Sequence, residues 1–89
     1  MSYQYQVEKA ALFTDEGQRK FIKVRDQVKR LLEQSGAVRM QEALSGVYGD
    51  SWTALACVDR LVELGEIREL TNSNCAGQHR VFVSAQDHY

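Results

Sequence analysis

The sequence predicts an α+β fold, in which three helices are followed by a two-stranded hairpin in one domain. Three observations carry this. Apolar residues recur at helical spacing through residues 15–34 and again from Trp52 to Leu64. The period changes after Gly65. Arg80-Val81-Phe82-Val83-Ser84 is the strongest strand former in the chain, because it is β-branched and aromatic.

The elements follow in order. Tyr3, Tyr5 and Val7 alternate with polar residues, which fits either a short strand or a loose arm, so residues 1–13 are set apart from a domain spanning 14–85. Thr14 or Asp15 caps the first helix, with Gln18 three residues after Asp15 and two acids favouring the positive helix N-terminus. Phe21, Val24, Val28, Leu31 and Leu32 form its apolar stripe, and Gly36 suits a left-handed end. Ala37-Val38 is too short to assign. Arg39 to Ser45 reads as a short second helix with Met40, Ala43 and Leu44 on one face, and Gly46 to Gly49 as a turn. Asp50 or Ser51 caps a third helix, Trp52 to about Leu64, with Leu55, Cys57, Val58, Leu61, Val62 and Leu64 inward. Glu66 to Thr71 is extended, 72–78 is turn chemistry, and the strand at Arg80 closes the hairpin. Residues 86–89 are a tail.

Composition narrows the function classes. At 89 residues the chain has room for one core, and 44% apolar with 26% charged residues is globular rather than disordered. No apolar run approaches the ~18–20 residues of a membrane span. Met1 to Gln6 has no basic or apolar signal region, so a membrane partner is not expected. Two cysteines are fewer than a disulfide-stapled module carries, which points to free thiols in a reducing, cytoplasmic setting, with Cys57 in the core and Cys75 in a polar loop.

Ser51 to Ile67 and Arg80 to Ser84 carry a resemblance. A capped helix runs into Leu61-Val62-Glu63-Leu64-Gly65-Glu66-Ile67 and is followed later by a return strand. This resembles the winged helix-turn-helix family, in which a Leu-x-x-x-Gly-x-Ile pattern closes the third helix and starts the wing. The resemblance covers about residues 15–84. Leu12 to Val28 also resembles small uncharacterised bacterial proteins, which implies no activity. The family resemblance implies that the third helix lies in the DNA major groove, as in a small transcriptional regulator, and that the wing touches the backbone. Carried over, the outward face of that helix is Trp52, Thr53, Ala56, Arg60 and Glu63, and the wing offers Arg68, His79 and Arg80. The implied DNA-contacting set is therefore Trp52, Thr53, Ala56, Arg60, Arg68, His79 and Arg80. Arg60 suits guanine, and Thr53 and Ala56 suit a thymine methyl.

Charge runs the other way. Residues 1–49 hold eight Lys/Arg against six Asp/Glu, a net of +2, and residues 50–89 hold three against six, a net of −3. An acidic second half repels phosphate, and an exposed Trp52 equally suits a protein interface. The alternative is therefore a protein-interaction or dimerisation module, and the alternating Tyr3, Tyr5 and Val7 segment would then extend the sheet or pair with a second copy. The best basic strip lies on the first helix, at Lys20, Lys23 and Arg30. There the pairs Glu16–Lys20, Asp26–Arg30 and Lys29–Glu33 also fit a merely solvated face.

Catalysis is not expected. Cys75 and His79, even with Asp87 and His88, fall short of a closed zinc site, and as a nucleophile pair they lack an oxyanion site and a pocket. Gly46 and Gly49 are not followed by the Gly-Lys-Ser/Thr of a phosphate-cradling loop. No metal, cofactor or small-molecule ligand is expected.

Overall fold

A computed structural model describes residues 3–47, 51–71 and 79–85. The expected contributions of Tyr48, Asp50, Cys75, Asp87 and His88 lie outside the described residues. The architecture is α+β, with helices packed on a three-stranded antiparallel sheet.

The N-terminal segment departs from expectation. Tyr5–Glu8 is one helical turn, α1, followed by a 3-10 helix, Lys9–Phe13, instead of a strand or free arm. Leu12 is 1% exposed, which anchors this segment to the core. Thr14 separates it from α2, Asp15–Ser35. The Thr14 hydroxyl accepts from Gly17 N–H at 3.0 Å and donates to the Ala11 carbonyl at 2.8 Å, so it caps α2 and closes the preceding turn. Asp15 is thus the first helical residue and not the cap. Gln18 donates to the Leu12 carbonyl and does not complete a capping box. Gly36, at φ 78°, ends α2 in the left-handed conformation, and its N–H returns to Leu32 at 2.8 Å.

Val38–Arg39 is a two-residue strand, β1, followed directly by α3, Met40–Ala43. The second long helix is α4, Ser51–Glu63. It stops where Gly65 N–H bonds Val62 at 3.0 Å and Glu66 N–H bonds Leu61 at 3.0 Å, the paired closure in which a positive-φ glycine replaces the next helical residue. Leu64 lies beyond this stop and is 47% exposed, so it does not join the inward set.

The hairpin strands are β2, Ile67–Glu69, and β3, Val81–Ser84. β3 is central. Val38 pairs with Phe82 on one side and Glu69 with Phe82 on the other. The third strand of the sheet is therefore β1 and not the N-terminal segment. Phe82 is fully buried and sits with Val24, Val28, Val38, Met40, Val58 and Leu61 in one core. Among the described residues no helix is long and apolar enough to cross a membrane.

Candidate interaction surface

α4 is flanked on two sides, and this decides what its outward face presents. One side packs on α2, and the other is covered by the N-terminal segment. Thr53 (9% exposed) and Ala56 (0%) therefore belong to the interior and not to the outward face that the family resemblance implied. Trp52 is half-buried. The flank of α4 beneath the N-terminal segment centres on Asp59 and Glu63, one turn apart, with their side chains 15% and 34% exposed.

Both carboxylates are occupied. The Tyr3 hydroxyl donates to Asp59 at 2.6 Å, and Arg80 reaches the other Asp59 oxygen at 2.8 Å. Glu63 accepts from Tyr5 and Lys9, each at 2.8 Å, and from Arg60 at 2.6 Å. These donors, Lys9 first, then Tyr5 and Arg60, pull the Glu63 carboxyl down to about 2. Burial, reinforced by the hydrogen bond to Glu63, pushes the Tyr5 hydroxyl up to about 12. Tyr3 is raised in the same way, by burial first and then by its bond to Asp59. The tyrosines thus serve as donors locked in the neutral form.

Arg80, to which the family resemblance gave a DNA contact, is an internal connector. Its guanidinium bridges Asp59 on α4 and Glu69 on β2, at 2.8 Å to each, and lies over the Phe82 ring at 5.2 Å. The hydrogen bonds to Glu69, ahead of those to Asp59, hold its pKa above the ordinary arginine value, and Arg80 in turn lowers that of Glu69. Arg60 is also engaged, with Glu63 and with the Phe13 ring at 5.5 Å. Of the sequence-assigned set, Arg68 and His79 remain exposed. Sequence reasoning missed Tyr3 and Tyr5 as partners of the acids. The available signal was two phenols upstream of an otherwise uncompensated acidic helix.

The acids of the second half that the structure describes are all committed to cations. Besides Asp59, Glu63 and Glu69, Glu66 meets Lys29 at 3.5 Å. Lys29 therefore pairs across elements and not with Glu33. Neither Glu16–Lys20 nor Asp26–Arg30 forms among the described residues, and Asp26 meets Arg25 instead, at 3.3 Å. Arg19, Lys20, Lys23, Arg30, Arg39 and Arg68 have no ion-pair partner among the described residues. Four of these six lie on α2, and a fifth, Arg39, ends β1 at the N-cap of α3.

Exposed apolar groups gather elsewhere. Phe13 (61% exposed) and Leu64 (47%) border a groove of about 380 Å³ with Leu12, Phe21, Gln18 and Arg60. Cys57 is buried, and that burial pushes its thiol up to about 11, which disfavours the nucleophilic thiolate. Among the described residues no three side chains of metal-binding type come together.

The chain matches no family model, no curated protein and no solved structure.

Proposed function

We propose that the chain is a winged-helix type module that works by binding a protein partner, and that α4 does not read DNA. The winged-helix assignment is supported by element order: a long helix, a short strand, two helices and a hairpin, with the first strand returning to pair with β3. The observation that carries the protein-binding reading over the DNA-reading one is the acidic strip of α4 beneath the N-terminal segment. A DNA-reading helix presents uncommitted donors to base edges and cations to phosphate. This strip presents Asp59 and Glu63, whose partners are the chain's own Tyr3, Tyr5, Lys9, Arg60 and Arg80. Freeing Arg60 or Arg80 for DNA would leave a carboxylate exposed to phosphate. The large exposed apolar side chains, Phe13 and Leu64 among them, are of the kind that protein partners cover.

Trp52 is the only tryptophan and stands at the start of α4. Its fluorescence, with anisotropy of a labelled mixed-sequence duplex, is the test at low salt. The expected result is no saturable change in either signal. Saturable binding that fades steeply with salt and weakens in Arg60→Ala overturns the reading and restores α4 as a DNA-contacting helix.

A further inference from the structure

We infer that the face where α2 meets α3 is a docking surface for an acidic protein segment that also carries apolar side chains. This rests on the protein-binding reading above and specifies where the partner sits and what its chemistry is. Gln27 organises the face. Its side-chain amide donates to the backbone carbonyls of Glu42 at 2.9 Å and Ser45 at 2.8 Å, clamping α2 to the end of α3. Two open depressions, of about 370 and 400 Å³, share Gln27, Arg30 and Ser45 as a common wall. Lys23, Asp26 and Val47 also line the first, and Leu31, Arg39 and Glu42 the second.

Charge on this face is uneven in a useful way. Lys23, Arg30 and Arg39 have no ion-pair partner among the described residues, and Arg30 makes only a 3.5 Å contact with Gln27. The two acids that line the same depressions are already engaged. Asp26 meets Arg25 at 3.3 Å, and Glu42 accepts the Arg39 backbone N–H at 3.0 Å. Three cations without ion-pair partners outnumber the two carboxylates, which keep their charge, so the face is net positive and complements an anionic partner whose own charges are spaced.

The mixture of groups favours a peptide over nucleic acid. A duplex carries one charge per ~1.7 Å of axis, so its continuous charge would meet Asp26 and Glu42 as well as the cations. Its backbone also offers nothing apolar to Leu31 and Val47. A protein segment spaces its carboxylates, which can meet Lys23, Arg30 and Arg39 while leucine or valine side chains cover the apolar floor.

The test uses the full chain and three fluorescein-labelled probes: a 16-residue peptide of interleaved Glu and Leu, the same peptide with Ser in place of Leu, and a mixed-sequence duplex. We expect saturable binding of the Glu/Leu peptide, weaker binding of the Glu/Ser peptide, and none of the duplex. The R30E/R39E variant should lose about tenfold or more in affinity for the Glu/Leu peptide, while R68E, reversing an exposed cation on β2, leaves it unchanged. Circular dichroism melts confirm that both variants fold. Lys23→Glu supplies the same readout if R30E/R39E does not fold. Absence of saturable Glu/Leu binding, or equal affinity in the variant, rejects this surface while the protein-binding reading stands. Duplex binding that exceeds peptide binding and falls in R30E/R39E rejects both.

Discussion

Glu63 gathers more charged partners than any other residue on α4, and its chemistry makes the N-terminal contact pH-sensitive. Its carboxyl is held at about 2, below the ordinary ~4.3 of an unfolded glutamate. A depressed carboxyl contributes stability above its unfolded pKa and loses it as pH falls through the folded value. The window is therefore about pH 4.5 down to 2, and Glu69, lowered by Arg80, acts in the same direction. Tyr5 has the opposite sign. Raised to about 12, it contributes stability below pH 10 that disappears as pH climbs toward 12. Because Glu63 is partly solvated, screening keeps its share modest. Glu63→Gln should therefore melt lower than the wild type at pH 7, and the two melting curves should converge as pH approaches 2. Scanning calorimetry between pH 2 and 7 checks this, and a constant gap across the range would mean that the ion pairs contribute nothing that titrates.

The junction between the 3-10 helix and α2 depends on one glycine. A Cβ placed on Gly17 would stand 2.0 Å from the Ala11 carbonyl oxygen and 2.8 Å from the Leu12 Cα, and both are backbone atoms with no rotamer to yield. Gly17→Ala, which in a free helix would stabilise, should here cost about 3 kcal/mol or more. A denaturant melt that matches or exceeds wild type would show that the N-terminal segment does not pack as described. This junction also marks where sequence reasoning stops. α2 and α4 were legible because their apolar periodicity comes from burial against one neighbouring layer, and β3 because Val81, Phe82 and Val83 fit a central strand. α1 was not legible. Three alternating residues are compatible with a strand, and the partners that decide otherwise, Asp59 and Glu63, lie 56 and 58 residues away. Thr53 and Ala56 were misplaced for a related reason. Spacing identifies one buried flank of a helix, whereas α4 has two. The run of small residues Thr53, Ala54 and Ala56 was the trace of that second close approach. Arg80 looked like a wing contact because no local pattern announces a bridge between α4 and β2.

The proposal that α4 does not read DNA admits two explanations, which make different predictions for the whole molecule. Either the N-terminal segment covers a competent helix, or the helix is unsuited whether covered or not. The charges favour the second. Deleting residues 2–8 removes Tyr3 and Tyr5 but keeps Leu12, the buried anchor, and Lys9, the other N-terminal partner of Glu63. The loss is two hydrogen bonds and two partly buried rings, about 1–3 kcal/mol, which leaves a folded domain with a lower melting temperature. Uncovering the strip exposes Asp59 and Glu63, two carboxylates one turn apart, and no new cation. The truncated chain should therefore bind mixed-sequence duplex no better than the full chain at low salt. Measured by anisotropy beside a melting curve, a truncation that folds and binds duplex with steep salt dependence would make the segment a removable cover over a DNA-reading helix. A truncation that folds and stays inert places the cause in α4 itself, whose strip carries two carboxylates, and fits the proposed reading in which Lys23 and Arg30 of α2 and Arg39 of β1 meet the partner.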